Sequence, residues 1–180
     1  MSEPFRVVCA DPAWKFGDKL PGKSRGAERN YRVMTTEDIC RIALPPIADD
    51  ALLFLWRVSS MVEDAYRVMR AWGFEPKTEI VWEKLTKNGL PWFGMGRIVR
   101  ASHETCIVGK RGRPTVLSKS IRSRFSAKVE RHSAKPECFY TDVVEKLAVG
   151  PYVELFSRGA RDGWTCIGDQ AANPAEMEVA

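Results

Sequence analysis

The chain has 180 residues, 44% hydrophobic and 28% charged, which fits one globular domain with a core of ordinary size and argues against a two-domain split. Its net charge of +5 is unevenly spread: eleven Lys and Arg face two Glu between Arg97 and Lys135, so the rest is net acidic and one side is expected to meet a polyanion. Five scattered cysteines without a CxxC pair exclude a disulfide frame, and His103 and His132 give poor spacing for zinc, so no metal is expected. The longest apolar run, Ala51 to Trp56, is far too short for a membrane span, and no signal pattern opens the chain; a cytoplasmic protein with no membrane contact is expected.

Phe5 to Ala10 reads as a buried strand, and the abrupt Asp11-Pro12 after it as the loop at the strand's C-terminal end, where open α/β sheets bind ligands. Asp11-Pro12-Ala13-Trp14 puts a carboxylate, a backbone carbonyl in a stiff turn and an indole at that rim. Those parts can hold a planar base bearing an exocyclic amine, two acceptors for the amino hydrogens and a ring to stack on. Lys15 to Met34 is glycine-rich and basic without a period, a mobile flap from which Tyr31 could return to the pocket.

Thr35-Thr36 before Glu37-Asp38 predicts a capped helix start, with Pro45-Pro46 ending a short helix. Ala51 to Trp56 is apolar throughout, as a strand covered on both faces must be. Met61, Ala65, Val68, Met69 and Trp72 make one helical stripe closed by Gly73, and Thr78 to Trp82 is the next strand, which gives a βαβ unit with parallel strands. Trp92 and Phe93, set among glycines in a basic context, suit contact with splayed bases. Thr105 to Val108 is a strand, preceded by His103-Glu104. Arg111 to His132 shows no hydrophobic stripe and is expected to be a substrate-contacting insertion of low order, with Arg122 and Arg124 holding phosphates. Pro136 suits the first turn of a helix whose buried stripe is Phe139, Val143 and Leu147, ended by Gly150-Pro151. Tyr152 to Phe156 and Trp164 to Gly168 are the last strands, and Ala171 to Ala180 is a frayed tail.

Four segments together resemble the adenine-N6 methyltransferase family typified by the catalytic subunit of the messenger-RNA methylating complex, and in particular its bacterial and phage members. They are Asp11-Pro12-Ala13-Trp14; Leu53-Phe54-Leu55-Trp56 with the following helix and Ile80-Val81-Trp82-Glu83-Lys84; Ser133-Ala134-Lys135-Pro136-Glu137; and Glu154-Leu155-Phe156-Ser157-Arg158 with Gly163-Trp164 and Gly168-Asp169-Gln170. The resemblance implies an α/β fold, a Rossmann-like methyltransferase with a mostly parallel sheet, helices on both faces and circularly permuted motif order. The catalytic strand comes first and the cofactor-binding strand last.

It further implies S-adenosylmethionine as methyl donor, held by Lys135, Glu154, Phe156, Arg158, Asp169 and Gln170, and catalysis at Asp11, Pro12 and Trp14. Tyr31, Arg122 and Arg124 are the expected substrate contacts. Residues 1–170 would form one methyltransferase domain, with 15–34 and 85–132 as flexible basic loops and 171–180 as a tail. The expected reaction is methylation of adenine N6 in DNA, with RNA, or a catalytically silent nucleic-acid-binding subunit of the same fold, as alternatives. Nucleic acid is the expected partner, and a homodimer is left open. Two departures stand out: Ala13 where most members have proline, and Gly159-Ala160-Arg161 where the messenger-RNA enzyme has His-Asn.

Overall fold

The computed structural model describes residues 3–15, 33–96, 98–130 and 134–168. The expectations for Tyr31, Asp169, Gln170, the tail and most of the flap fall outside those residues.

Among the described residues seven strands form one sheet: β1 Phe5–Ala10, β2 Ile47–Arg57, β3 Glu75–Leu85, β4 His103–Arg111, β5 Arg124–Lys128, β6 Tyr152–Leu155 and β7 Trp164–Ile167, in spatial order β5-β3-β4-β2-β1-β6-β7. Six run the same way, and β4 alone opposes them, slotted antiparallel between β2 and β3. The expected parallel relation of β2 and β3 holds, but through an interposed strand. First and last thirds of the chain meet at the centre, where β1 lies between β2 and β6, as permuted motif order requires.

Alternation along the strands splits the core in two. Val8, Ala10, Leu53 and Leu55 face helices α1, Thr36–Cys40, and α2, Val62–Ala71, whereas Val7, Cys9, Phe54 and Trp56 face the other way. That second face is covered by a helix π-wound over Phe139–Val144 and continuing as α-helix over Glu145–Leu147. Thr35 caps α1 by accepting from the Asp38 N–H at 3.1 Å, a contact worth about 1 kcal/mol. α2 stops where Gly73 adopts φ +79°, a conformation costly for any side chain. No described helix is long and apolar enough to cross a membrane.

The stretch 85–132 requires correction. Expected as loop apart from a strand at Thr105–Val108, it carries the whole of β4 and also β5, which pairs in parallel with β3 from Val81 to Leu85. β5 is an edge strand that buries one side only: Phe125 packs with Phe139 at 6.1 Å between ring centroids, and Trp82 Nε1 donates to the Ala127 carbonyl at 3.0 Å.

Candidate active site

Because six strands are parallel, their C-terminal ends share one edge of the sheet, and the antiparallel β4 delivers its N-terminal residues to that same edge. Asp11 follows β1, Phe156 follows β6, and the register pairs Ala10 with Leu155, so these two loop starts are neighbours. Glu104 enters from β4, opposite Trp82 of β3.

Four charges alternate across this edge. Lys135 Nζ lies 2.5 Å from Asp11 Oδ2 and 3.2 Å from Glu104 Oε2, and Glu104 Oε1 in turn pairs with Lys84. The two ammonium groups stand on tryptophan faces, Lys135 at 5.0 Å from the Trp56 ring and Lys84 at 5.1 Å from Trp82. The Lys135 side chain is only 7% exposed. Burial works against its charge, but Asp11 and Glu104 outweigh burial and hold the ammonium above its ordinary range. Burial likewise pushes the Glu104 carboxyl up, and Lys135 and Lys84 more than reverse that, leaving it below the usual carboxylate range. Lys135, expected among the cofactor contacts, is therefore placed against Asp11.

Trp14 does not occupy the expected position. It is 4% exposed, lies in the core cluster with Ile39, Leu55 and Met61, and donates its Nε1–H to the Trp56 carbonyl at 3.0 Å. A bridge pairs Trp14 with Met34, and the buried ring offers no face to a base. The Pro12 carbonyl accepts from the Trp14 N–H at 2.9 Å and keeps a second lone pair.

On the adjoining strand, Glu154 Oε1 accepts from Tyr140 Oη at 2.6 Å and Oε2 from Ser157 Oγ at 3.4 Å, with Arg161 Nε 3.7 Å from Oε2. Phe156 has φ +61°, which strains a side-chain-bearing residue. The loop is nonetheless held shut by the Ser157 N–H bonded to the Ile167 carbonyl at 2.9 Å, and a Cβ at Gly168 would come within 2.5 Å of Ser157 backbone atoms. Arg158 is half-buried in this same turn.

Arg122 and Arg124 are not brought to Asp11. Arg124 pairs with Glu83 at 3.1 Å. Arg122 lines a cavity of about 540 Å³ with Lys77, Ile80, Lys110 and Arg113, near the opposite ends of the parallel strands. Closer to the site, the connection from β3 to β4 exposes Leu90, Phe93, Met95, Ile98 and Val99, with the Arg100 guanidinium 5.2 Å from the Phe93 ring.

The MT-A70 family model matches residues 5–170. The chain belongs to the MT-A70 family. Members of MT-A70 are S-adenosylmethionine-dependent methyltransferases. The chain is 29% identical over 179 residues to the N(6)-adenosine-methyltransferase MT-A70-like protein of Drosophila melanogaster, covering 92% of this chain and 27% of that one. It is also 29% identical to the N(6)-adenosine-methyltransferase catalytic subunit METTL3 of Homo sapiens, again over 92% of this chain but 28% of the relative. Type II methyltransferase M.MunI of Mycoplasma sp is 26% identical over 180 residues, covering 89% of this chain and 75% of its own length. The chain thus spans little more than a quarter of the first two relatives.

Against this MT-A70 background, sequence reading misses Glu104 as a site residue. The signal is an acid immediately before an apolar strand, but only the reversed direction of β4 brings it to the Asp11 edge. Arg161 stands out in the sequence only as a departure from the family pattern, whereas the structure packs it against Glu154.

Proposed function

We propose that the chain transfers a methyl group from S-adenosylmethionine to the N6 amine of adenine in DNA. What carries this reading is the register of β1 and β6, which puts the Asp11 loop beside the Phe156 loop, two residues past Glu154, at one sheet edge. One strand end then serves the base and its neighbour the cofactor.

The residues present fit that cofactor. Glu154 is an anionic acceptor suited to sugar hydroxyls, the strained Phe156 turn lies beside it, and the buried Arg161 Nε–H has no hydrogen-bond acceptor among the described residues. Glu154, Phe156 and Arg158 would hold the nucleoside, and Asp169 and Gln170 complete the proposed set. Lys135 has three N–H groups; two point at carboxylates, and the third is available to an anionic group. When bound, S-adenosylmethionine supplies a methyl group on a positively charged sulfur.

The chain's own contribution is placement and charge. An adenine amine is a weak nucleophile because its lone pair is delocalised into the ring. Asp11 Oδ1, which has no partner among the described residues, and the second lone pair of Pro12 O accept its two hydrogens and favour a tetrahedral nitrogen. Lys135 fixes Asp11 through Oδ2, and Glu104 offsets the Lys135 charge so that the site still attracts the positive charge developing on nitrogen. Holding the two reactants in line can supply on the order of 7–11 kcal/mol of the barrier. Extracting the base from a duplex costs a few kcal/mol. The exposed apolar β3–β4 connection, with Arg100 on Phe93, offers stacking surfaces for that step.

DNA is taken first on the likeness to the type II methyltransferase M.MunI, beside that to the larger adenosine methyltransferases. The names of those larger relatives favour RNA as the second reading. The test is transfer of radiolabelled methyl from S-adenosylmethionine to unmethylated duplex DNA, single-stranded DNA and RNA, followed by nucleoside analysis. Label in N6-methyldeoxyadenosine is expected. Label only in RNA would move the assignment to the second reading, and label in none of the three would refute both.

A further inference from the structure

The turn after β6 carries a cation that the chemistry at Asp11 does not use. Arg161 joins β6 to the helix that starts at Glu137 while its side chain is only 18% exposed. Its guanidinium carbon sits 3.4 Å from the centroid of the Tyr140 ring, Nη1 donates to Glu137 Oε2, and Nε lies 3.7 Å from Glu154 Oε2. The buried Nε–H has no acceptor within hydrogen-bond geometry among the described residues, so its contact with Glu154 is an ion pair and stops short of a hydrogen bond.

Glu154 needs such a neighbour. Its other contacts among the described residues, the Tyr140 and Ser157 hydroxyls and Cys166 Sγ, bring no cation. Burial, and then the Glu154 charge, push the Tyr140 hydroxyl well up, so Tyr140 stays protonated and donating. A carboxylate this enclosed, 14% exposed, keeps its charge at a cost unless a cation is beside it. Arg161 is that cation, and a guanidinium can lie flat on an aromatic ring while its edge faces a carboxylate, which an ammonium cannot. Arg161 also ties Glu137, two residues beyond Lys135, to the strand end that carries Glu154. It therefore braces the two sides of the proposed cofactor cradle.

We propose that Arg161 is a positioning residue of the cofactor site: its guanidinium holds the Glu154 carboxylate in place, turned toward the ribose hydroxyls of S-adenosylmethionine. This rests on the reading of Glu154 as a cofactor contact. It assigns a role to the stretch Gly159-Ala160-Arg161, where the chain departs from the His-Asn of the enzyme it resembles.

The experiment is calorimetric titration of the full chain with S-adenosylmethionine and with its 2′,3′-dideoxy analogue, for the parent, R161A, R161K, E154Q and R161A/E154Q. R161A is expected to weaken S-adenosylmethionine binding about tenfold or more, the range of a hydrogen bond to a charged group. R161K should restore part of that loss, and also supplies the comparison if R161A fails to fold. In the E154Q background, and with the dideoxy analogue, removing Arg161 should change affinity less than about twofold, because the group it positions or the hydroxyls it serves are gone. Unchanged S-adenosylmethionine affinity in R161A overturns the role of Arg161 alone. A loss that persists undiminished in E154Q, or that is equal for the dideoxy analogue, also overturns it, since Arg161 would then act elsewhere. A folded parent that binds no S-adenosylmethionine overturns the cofactor reading itself.

Discussion

Replacing Lys135 by Met tests the charge arrangement at the sheet edge most directly. The substitution keeps an unbranched chain of similar length over Trp56 and removes only the cation. Asp11 and Glu104 would then share the edge as two carboxylates with Lys84 alone between them and neutrality. Taking one partner from a fully buried pair costs about 3–5 kcal/mol. Here the carboxylate side chains are 24% and 28% exposed, so water recovers part of the cost and about 2–3 kcal/mol is expected. In a chain of this size that lowers Tm by about 5–10 °C.

Urea unfolding at pH 7 measures it, with the slope m unchanged. The second arm is K135M/E104Q, in which the surviving carboxylate no longer faces another; more than half of the lost stability should return. The pH dependence has a definite sign. Glu104 is depressed in the folded protein, so its contribution is fully present above its unfolded value of about 4.3 and is lost as pH falls through the lower folded value. The gap between parent and K135M should therefore be widest near neutrality and narrow in acid, where protonation removes the repulsion. An unchanged urea midpoint for K135M at pH 7, or no rescue by E104Q, would refute the coupling.

Asp11→Ala should abolish methyl transfer while calorimetric binding of S-adenosylmethionine survives; loss of binding with an intact fold would move Asp11 to the cofactor side. Trp14→Ala should cost about 3–5 kcal/mol in urea unfolding, as a core indole does, and a normal midpoint with only a raised KM for nucleic acid would return the ring to the substrate. Charge reversal at Arg122 and Arg124 tests whether the nucleic-acid footprint reaches beyond the Asp11 edge. Every phosphate that is no longer neutralised should flatten the dependence of log affinity on log salt by about 0.9 for duplex DNA, and an unchanged slope removes both residues from the footprint.

The inner strands are legible because their signals are local. Phe5 to Ala10 and Ala51 to Trp56 are short apolar runs with sharp ends, and the stripe from Met61 to Trp72 closes on a glycine that the structure finds at positive φ. β5 carries a weaker local signal: Phe125, Ala127 and Val129 alternate with Arg124, Ser126 and Lys128. The basic residues hide this alternation, as expected of an edge strand with one wet side. Trp14 is misplaced by sequence reasoning for a different reason. Its orientation is decided by Met34 and by the Trp56 carbonyl, neither of which is near it in sequence.

Strand direction has no sequence signature of its own, and that matters most at β4. Were β4 parallel, Glu104 would sit at the far end of the sheet, and Lys135 and Asp11 would form an isolated pair in which the carboxylate is largely neutralised by its partner. The antiparallel insertion brings a second acid and, through it, Lys84, so four alternating charges cancel as a set while Asp11 Oδ1 stays available. Such an arrangement draws in the positive charge that an alkylated amine acquires, yet leaves no uncompensated buried ion in the resting protein. The reversal of one strand thus gives the site an acceptor that is held in place through one oxygen and open at the other.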